Sequence, residues 1–139
     1  MANTSRNVKV HGDKLYFLAE SKEIMELTVG EDKLEIVKTN EKGVNDFEID
    51  ERGTMIIAYE QNKLKYGEYT REFKEHQKEL EVVTVAFRTN VGKYSKKGIL
   101  VGCTTIDYRQ ILFSLNRRLN ILGSVKFKSA ASCNGNSLS

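Results

Sequence analysis

The sequence predicts an α+β fold: a single domain in which an antiparallel β-sheet of about five to seven strands is packed by two main α-helices. Three observations carry that expectation. Short β-rich runs separated by turn residues fill the first half of the chain. Two later stretches space their apolar residues at the helical period. The chain has 139 residues, 40% of them hydrophobic and 29% charged, which suits one compact core.

The turn signals of the first half are Gly12-Asp13, Gly30-Glu31-Asp32, Asn40-Glu41-Lys42-Gly43 and Asp50-Glu51-Arg52-Gly53. Between them Val8 to Val10, Leu15 to Leu18, Leu34 to Val37, Phe47 to Ile49 and Met55 to Tyr59 read as strands of a meander. Ala19 to Val29 fits either element, because Ser21 can cap a short helix while Met25, Leu27 and Val29 alternate as in a strand; strand is the preferred reading. From residue 61 to 80 the period changes. Asn62 is a candidate cap, and Tyr66, Tyr69, Phe73 and Leu80 share a helical stripe, with Gly67 moving the expected start towards Tyr69. Alternation then predicts a strand over Val82 to Phe87, a polar loop from Arg88 to Gly98, and a second strand over Ile99 to Cys103.

Thr104-Thr105-Ile106-Asp107 has the form of a capping box. Tyr108, Ile111, Leu112, Leu115 and Leu119 follow at helical spacing, so the second helix is expected here, stopped by Gly123. Val125 and Phe127 suggest a last strand. The domain is expected to span residues 1 to 128, and the uncharged run SAASCNGNSLS at 129 to 139 to be a disordered tail. No internal repeat and no interdomain linker is visible.

Chemistry-bearing motifs are few. Neither His11 nor His76 is spaced with another ligand type for zinc, and the glycine-rich phosphate-binding patterns fail. Asp46, Glu48 and Asp50 alternate along one strand; such an array can hold a cation, but it is also what a solvated strand face looks like. No enzyme activity, cofactor or metal is expected. Cys103 reads as a core residue and Cys133 as part of the tail, so no structural disulfide is expected and the reducing cytosol is the default compartment. The first residues do not form a secretory signal, and no apolar run approaches the ~20 residues that cross a bilayer, so no membrane partner is expected.

The charge distribution is the one strong functional signal. Residues 1 to 80 hold 13 Lys/Arg against 17 Asp/Glu, whereas residues 81 to 139 hold 9 against 2. Such asymmetry points to a polyanion. Two clusters are the candidates: Arg88, Lys93, Tyr94, Lys96 and Lys97 at a hairpin tip, and Arg109, Asn116 and Arg117 on the polar side of the expected 107–120 helix, with Lys126 and Lys128 beyond it. Lysine supplies point charge to phosphates, and arginine forks two hydrogen bonds to a phosphate or guanine edge. The sequence thus predicts a small regulatory or accessory protein that binds nucleic acid, DNA or RNA. The alternatives are a module or inhibitor docking an acidic surface of a host or viral protein, and a structural assembly subunit. Oligomeric state is not specified by these features.

The run from Lys33 to Tyr59, through Gly43, Phe47-Glu48-Ile49, Gly53 and Met55, resembles the strand–turn–strand segment in the C-terminal double-wing domain of the MotA phage transcription activator family. The order of elements expected after it, as far as Leu119, is similar as well. The resemblance implies a DNA-binding transcription regulator of viral origin with an α+β fold. It carries over no contact residue.

Overall fold

A computed structural model describes residues 8–30, 33–87 and 98–127. Among the described residues it has twelve strands and no α-helix. The first sheet joins β1 (Lys9–His11), β2 (Lys14–Leu18), β3 (Ile24–Val29) and β4 (Leu34–Lys38). The second joins β5 (Val44–Ile49), β6 (Met55–Tyr59), β7 (Lys63–Tyr66) and β8 (Tyr69–Glu72); the third joins β9 (Leu80–Phe87), β10 (Ile99–Thr105), β11 (Gln110–Leu115) and β12 (Ile121–Phe127). Each sheet is an antiparallel meander in which spatial order follows chain order.

The α+β expectation is therefore wrong, and both helices are corrected. Where the first was expected, the chain forms β7, β8 and a single 3-10 turn at Lys74–His76. Asn62 does not cap a helix. It adopts a left-handed backbone (φ 57°) in the β6–β7 turn, a conformation that asparagine tolerates better than most residues. Where the second was expected, β10, a turn and β11 follow one another. Ile111, Phe113 and Leu115 are buried and the intervening Leu112 and Ser114 are half-exposed, which is the period of a strand. The helical stripe had borrowed Leu112 from the opposite face and Leu119 from the next turn. Residues 24 to 29 form a strand, and the strands expected in the first half, after the helix and before Cys103 are present. The expected tail lies outside the described residues.

Thr104, the expected cap, lies in β10, and the side-chain capping that the structure shows belongs to turns. Four hairpins share one five-residue design: Ala19–Glu23, Asp50–Thr54, Thr105–Arg109 and Asn116–Asn120. In each, the first residue's N–H donates to the last residue's carbonyl, and the fourth residue's N–H donates back to the first carbonyl. The fourth residues, Lys22, Gly53, Tyr108 and Leu119, all have positive φ, the mark of a type I turn followed by a left-handed residue. Three of the first residues cap their own turn. Asp50 Oδ1 accepts from the amides of Arg52 and Thr54, Thr105 Oγ1 from Arg109, and Asn116 Oδ1 from Arg118 and Asn120. At Gly53 an added Cβ would stand 2.8 Å from the His11 ring, so that turn admits glycine on two counts.

A structural repeat is present that residue identity conceals. The first strands begin at Lys9, Val44 and Leu80, 35 and 36 residues apart. The carbonyl just before the second sheet, Gly43, accepts from the Glu60 amide, and the carbonyl just before the third, Glu79, accepts from the Ile106 amide. These are equivalent clasps between the loop entering a sheet and that sheet's β6–β7 or β10–β11 turn.

The three sheets pack face to face. Ile24, with Tyr16 and Leu18, meets Val44, Phe47 and Ile57 between the first and second. Ile56, Ala58, Leu64, Tyr66 and Phe73 meet Val83, Val85, Ile99, Val101, Cys103, Ile111, Phe113 and Leu115 between the second and third. A β-bulge between Val44 and Asp46 lets Val44 and Phe47, three positions apart, enter the same core. Close approach between sheets centres on the first strands, β1 with β5 and β5 with β9. Sheets that meet along their first strands and repeat in this order are arranged as the blades of radial β architectures.

Two carboxylates of β5 join those first strands. Asp46 Oδ2 accepts from the Val85 amide of β9 at 2.9 Å, and Glu48 pairs with Lys9 of β1 at 2.7 Å. Burial pushes the Asp46 carboxyl above its ordinary pKa, against the pull of the Val85 and Phe47 amides. Asp46→Ala leaves a buried N–H without an acceptor and should cost about 1–3 kcal/mol in urea unfolding. Glu48→Gln, which weakens a half-exposed ion pair, should cost less than about 1 kcal/mol in the same measurement.

Candidate interaction surface

In a meander whose sheets follow one another without reversal, the turns divide between two ends of the molecule. The second turn of each sheet and the loops that enter the second and third sheets lie at one end, here the entry end. The first and third turns whose residues are described lie at the opposite end.

This division decides the fate of the candidate basic surface. Arg109 closes the β10–β11 turn and Lys126 lies near the end of β12, both at the entry end. Asn116 and Arg117 lie in the β11–β12 turn at the opposite end. The six residues of β11 separate the two pairs, a span of ~20 Å at 3.3 Å per residue. A helix face would have gathered all four; a strand sends them apart. Arg88, Lys93, Tyr94, Lys96, Lys97 and Lys128 lie outside the described residues.

At the opposite end the functional groups are engaged within the chain. The Asn116 side chain caps its own turn. Arg117 Nη1 lies 3.2 Å from Asp50 Oδ2, its Nη2 lies 3.4 Å from Glu51, and its guanidinium stands over the Tyr66 ring at 5.7 Å. The Tyr66 hydroxyl also donates to Asp50. This cluster fastens the third sheet to the second. Its partners come from the acidic first half, a pairing 67 residues apart in sequence. Burial alone would push the Asp50 carboxyl up, but the Tyr66 hydroxyl, the Thr54 and Arg52 amides and Arg117 outweigh it and hold the group below its ordinary value.

The entry end carries two pockets in equivalent positions. One, of about 380 Å³, is lined by Lys78, Glu79, Thr105, Ile106, Asp107, Arg109 and Lys126. The other, of about 270 Å³, is lined by Lys42, Gly43, Tyr59, Glu60, Gln61 and Lys63. Each lies against one of the repeated clasps, Glu79 to Ile106 and Gly43 to Glu60. Their charges are mixed. Arg109 pairs with Asp107 at 3.2 Å and Lys22 with Glu60 at 3.6 Å. Lys42, Lys78 and Lys126 have no ion-pair partner among the described residues. Ile106 and Tyr108, at 64% and 69% exposure, put apolar surface beside these charges. Sequence reading found Arg109 and Lys126 but missed Lys42, Lys63 and Lys78. Their signal was the recurrence of lysine near each junction between sheets, which becomes visible only once the 35–36-residue repeat is known.

The groups most suited to chemistry are occupied structurally. Burial pushes the Cys103 thiol up to about 12, and it lies in the core as expected. The His76 ring packs on Phe113 at 5.5 Å. Asp46, Glu48 and Asp50 do not converge on a common point but turn to β9, β1 and the Tyr66–Arg117 cluster in turn. Among the described residues no group of three metal-ligating side chains is placed to hold an ion, and no helix is long and apolar enough to cross a membrane.

No protein-family model matches this sequence, and no curated protein matches it either. The class it can be assigned is therefore that of its architecture: a mainly β protein of three antiparallel four-stranded sheets.

Asp50 gives the fold a defined acid sensitivity. Its folded pKa lies below the unfolded one, so the stabilisation is complete above the ordinary value of 3.8 and is lost as pH falls towards the folded value. Urea midpoints measured from pH 6 down to pH 2 should show wild type losing more stability than Asp50→Asn. The two proteins should differ most at the upper end and converge at the lower. Glu41, held low by Tyr59 and Lys65 despite its burial, keeps its own acid dependence in both.

Proposed function

We propose that this protein is a non-catalytic interaction module that receives an acidic segment of another protein across the entry end. The observation that carries the reading is the repetition of one pocket at two junctions, edged by Lys42 at one and by Lys78 and Lys126 at the other, lysines with no ion-pair partner among the described residues. A rigid β scaffold that offers the same loop junction several times presents a row of similar subsites to an extended ligand, as repeat architectures do. The neighbouring carboxylates Glu60, Glu79 and Asp107 favour a polypeptide, whose side chains can match both signs, over a uniformly charged backbone. The exposed Ile106 and Tyr108 add apolar contact of the kind that protein interfaces use. The cytosol is the compartment in which this reading places the protein, and a buried unpaired thiol at Cys103 suits it.

Nucleic acid is the second reading, favoured by the grouping of Lys78, Arg109 and Lys126 around one pocket. Viral origin and transcription regulation belong to it through the double-wing resemblance, whose implied helices after Tyr59 are strands in this chain.

One experiment separates the two. Capture of partners from cell extract with the tagged chain should survive nuclease treatment and weaken when Lys42, Lys78 and Lys126 are together changed to Glu. Partner binding that disappears with nuclease, and direct binding to oligonucleotides that falls steeply with salt, would replace the protein reading by the nucleic-acid one.

A further inference from the structure

Among the described residues every internal sheet face is covered by the next sheet, and two faces are left over. The outward face of the first sheet carries a complete apolar cross-strand row, Val10, Leu15, Leu27 and Ile36, continued in the next row by Phe17 and Met25, whose register partner there is Lys38. Val10 and Ile36 are 70% and 64% exposed. None of these six belongs to the core between the first and second sheets, which takes Tyr16, Leu18 and Ile24 from the other face. The outward face of the third sheet holds Thr84, Gly102, Leu112 and Val125 in one row, with Leu100 and Thr104 in the flanking rows. These three rows of the third sheet contain Ser114 and Gln110 but no charged residue, and Val125 is 56% exposed.

A sheet face that meets water normally alternates towards polar and charged residues, and the end units of a repeat array carry polar outer faces that keep them soluble. Neither terminal sheet carries a charged residue in its central row. The two faces also differ in relief. Large side chains dominate the first (Phe17, Met25, Leu27), whereas glycine and threonine lower the centre of the second. Bulk against shallow relief is the condition for close packing between layers.

Direction is fixed by the repeat. The first sheet offers outward the side that the second and third sheets turn to their predecessors, and the third sheet offers the side that the first and second turn to their successors. A junction of third sheet to first sheet would therefore repeat the two junctions already present. Closed radial arrays hold about four to eight sheets. The described residues form three sheets, so two copies of them make a ring of six; one copy or three copies fall outside that range.

We propose that two copies of this chain pack head to tail, the outward face of the first sheet of each against the outward face of the third sheet of the other, to close a six-bladed ring. The interaction is heterologous in its surfaces yet closed by a twofold axis. It lines up six junctions of the kind that carry the pockets, and it rests on the packing of the sheets rather than on the identity of any ligand.

Sedimentation equilibrium of the 139-residue chain at micromolar concentrations tests it. The expected mass is twice the 15.8 kDa of one chain. Val10→Glu with Ile36→Glu should yield a monomer, and Val125→Glu alone should do the same although it lies on the other sheet. All three positions are exposed in the single chain, so circular dichroism should show each variant folded. Mixing the two monomeric variants should restore a dimer, since one of the two junctions is then intact. A wild-type monomer, an open series of higher assemblies, or a Val125→Glu protein that remains a dimer without its partner variant would each overturn the ring. None of these results depends on the partner capture by which the entry-end reading stands or falls.

Discussion

The architecture depends on what happens along β5. Its position in the middle sheet makes it the only described strand with a first strand on either side, and its two carboxylates engage both neighbours, Asp46 the Val85 amide and Glu48 the Lys9 ammonium. The two contacts differ in kind. The Lys9–Glu48 pair is partly hydrated and contributes modestly, as such pairs do. Asp46 is buried against a backbone donor, in a place where neither partner has water as a substitute. The bulge at the start of β5 turns Val44 and Phe47 into one core and leaves Asp46 pointing into the other. A local irregularity of one residue thus lets the strand serve two apolar layers at once.

Much of this was legible in the amino-acid order, and the failures share one cause. The early strands announced themselves through alternation and through turn residues such as Gly12-Asp13 and Asp50 to Gly53. The later hairpins use the same turn with Tyr108 and Leu119 in the left-handed position, where a reader expects glycine. Without that marker the stretch from Thr104 to Leu119 has no visible break. Thr104 to Asp107 then looks like a helix-capping box, because a side-chain oxygen bound to a nearby amide serves a turn and a helix start equally well. Val83, Val85, Ile111, Phe113 and Leu115 are all buried, yet the first two sit in a β-branched run from Val82 to Val85, whereas Leu112, Leu115 and Leu119 complete a helical spacing.

The charge asymmetry was a true property of the chain, but its meaning changed with the fold. The acidic first half neutralises part of the basic second half across the sheet boundary, most plainly where Asp50 and Glu51 hold Arg117. Counting charges by sequence position treats the halves as separate surfaces. In the folded chain they are successive layers, so the cations that matter are those at the junctions, and two of these, Lys42 and Lys78, belong to the half that counted as acidic.

The clasps at Gly43 and Glu79 have a further consequence. In both, the contact that seats one sheet's turn on the loop before it runs from main-chain amide to main-chain carbonyl and asks nothing of the side chains involved. Residues at these junctions are consequently at liberty to change without loosening the framework. Two descendants of such a chain can keep the same skeleton while diverging wherever a ligand touches them, so shape would persist long after any likeness between their letters, or between the successive units within one of them, had faded.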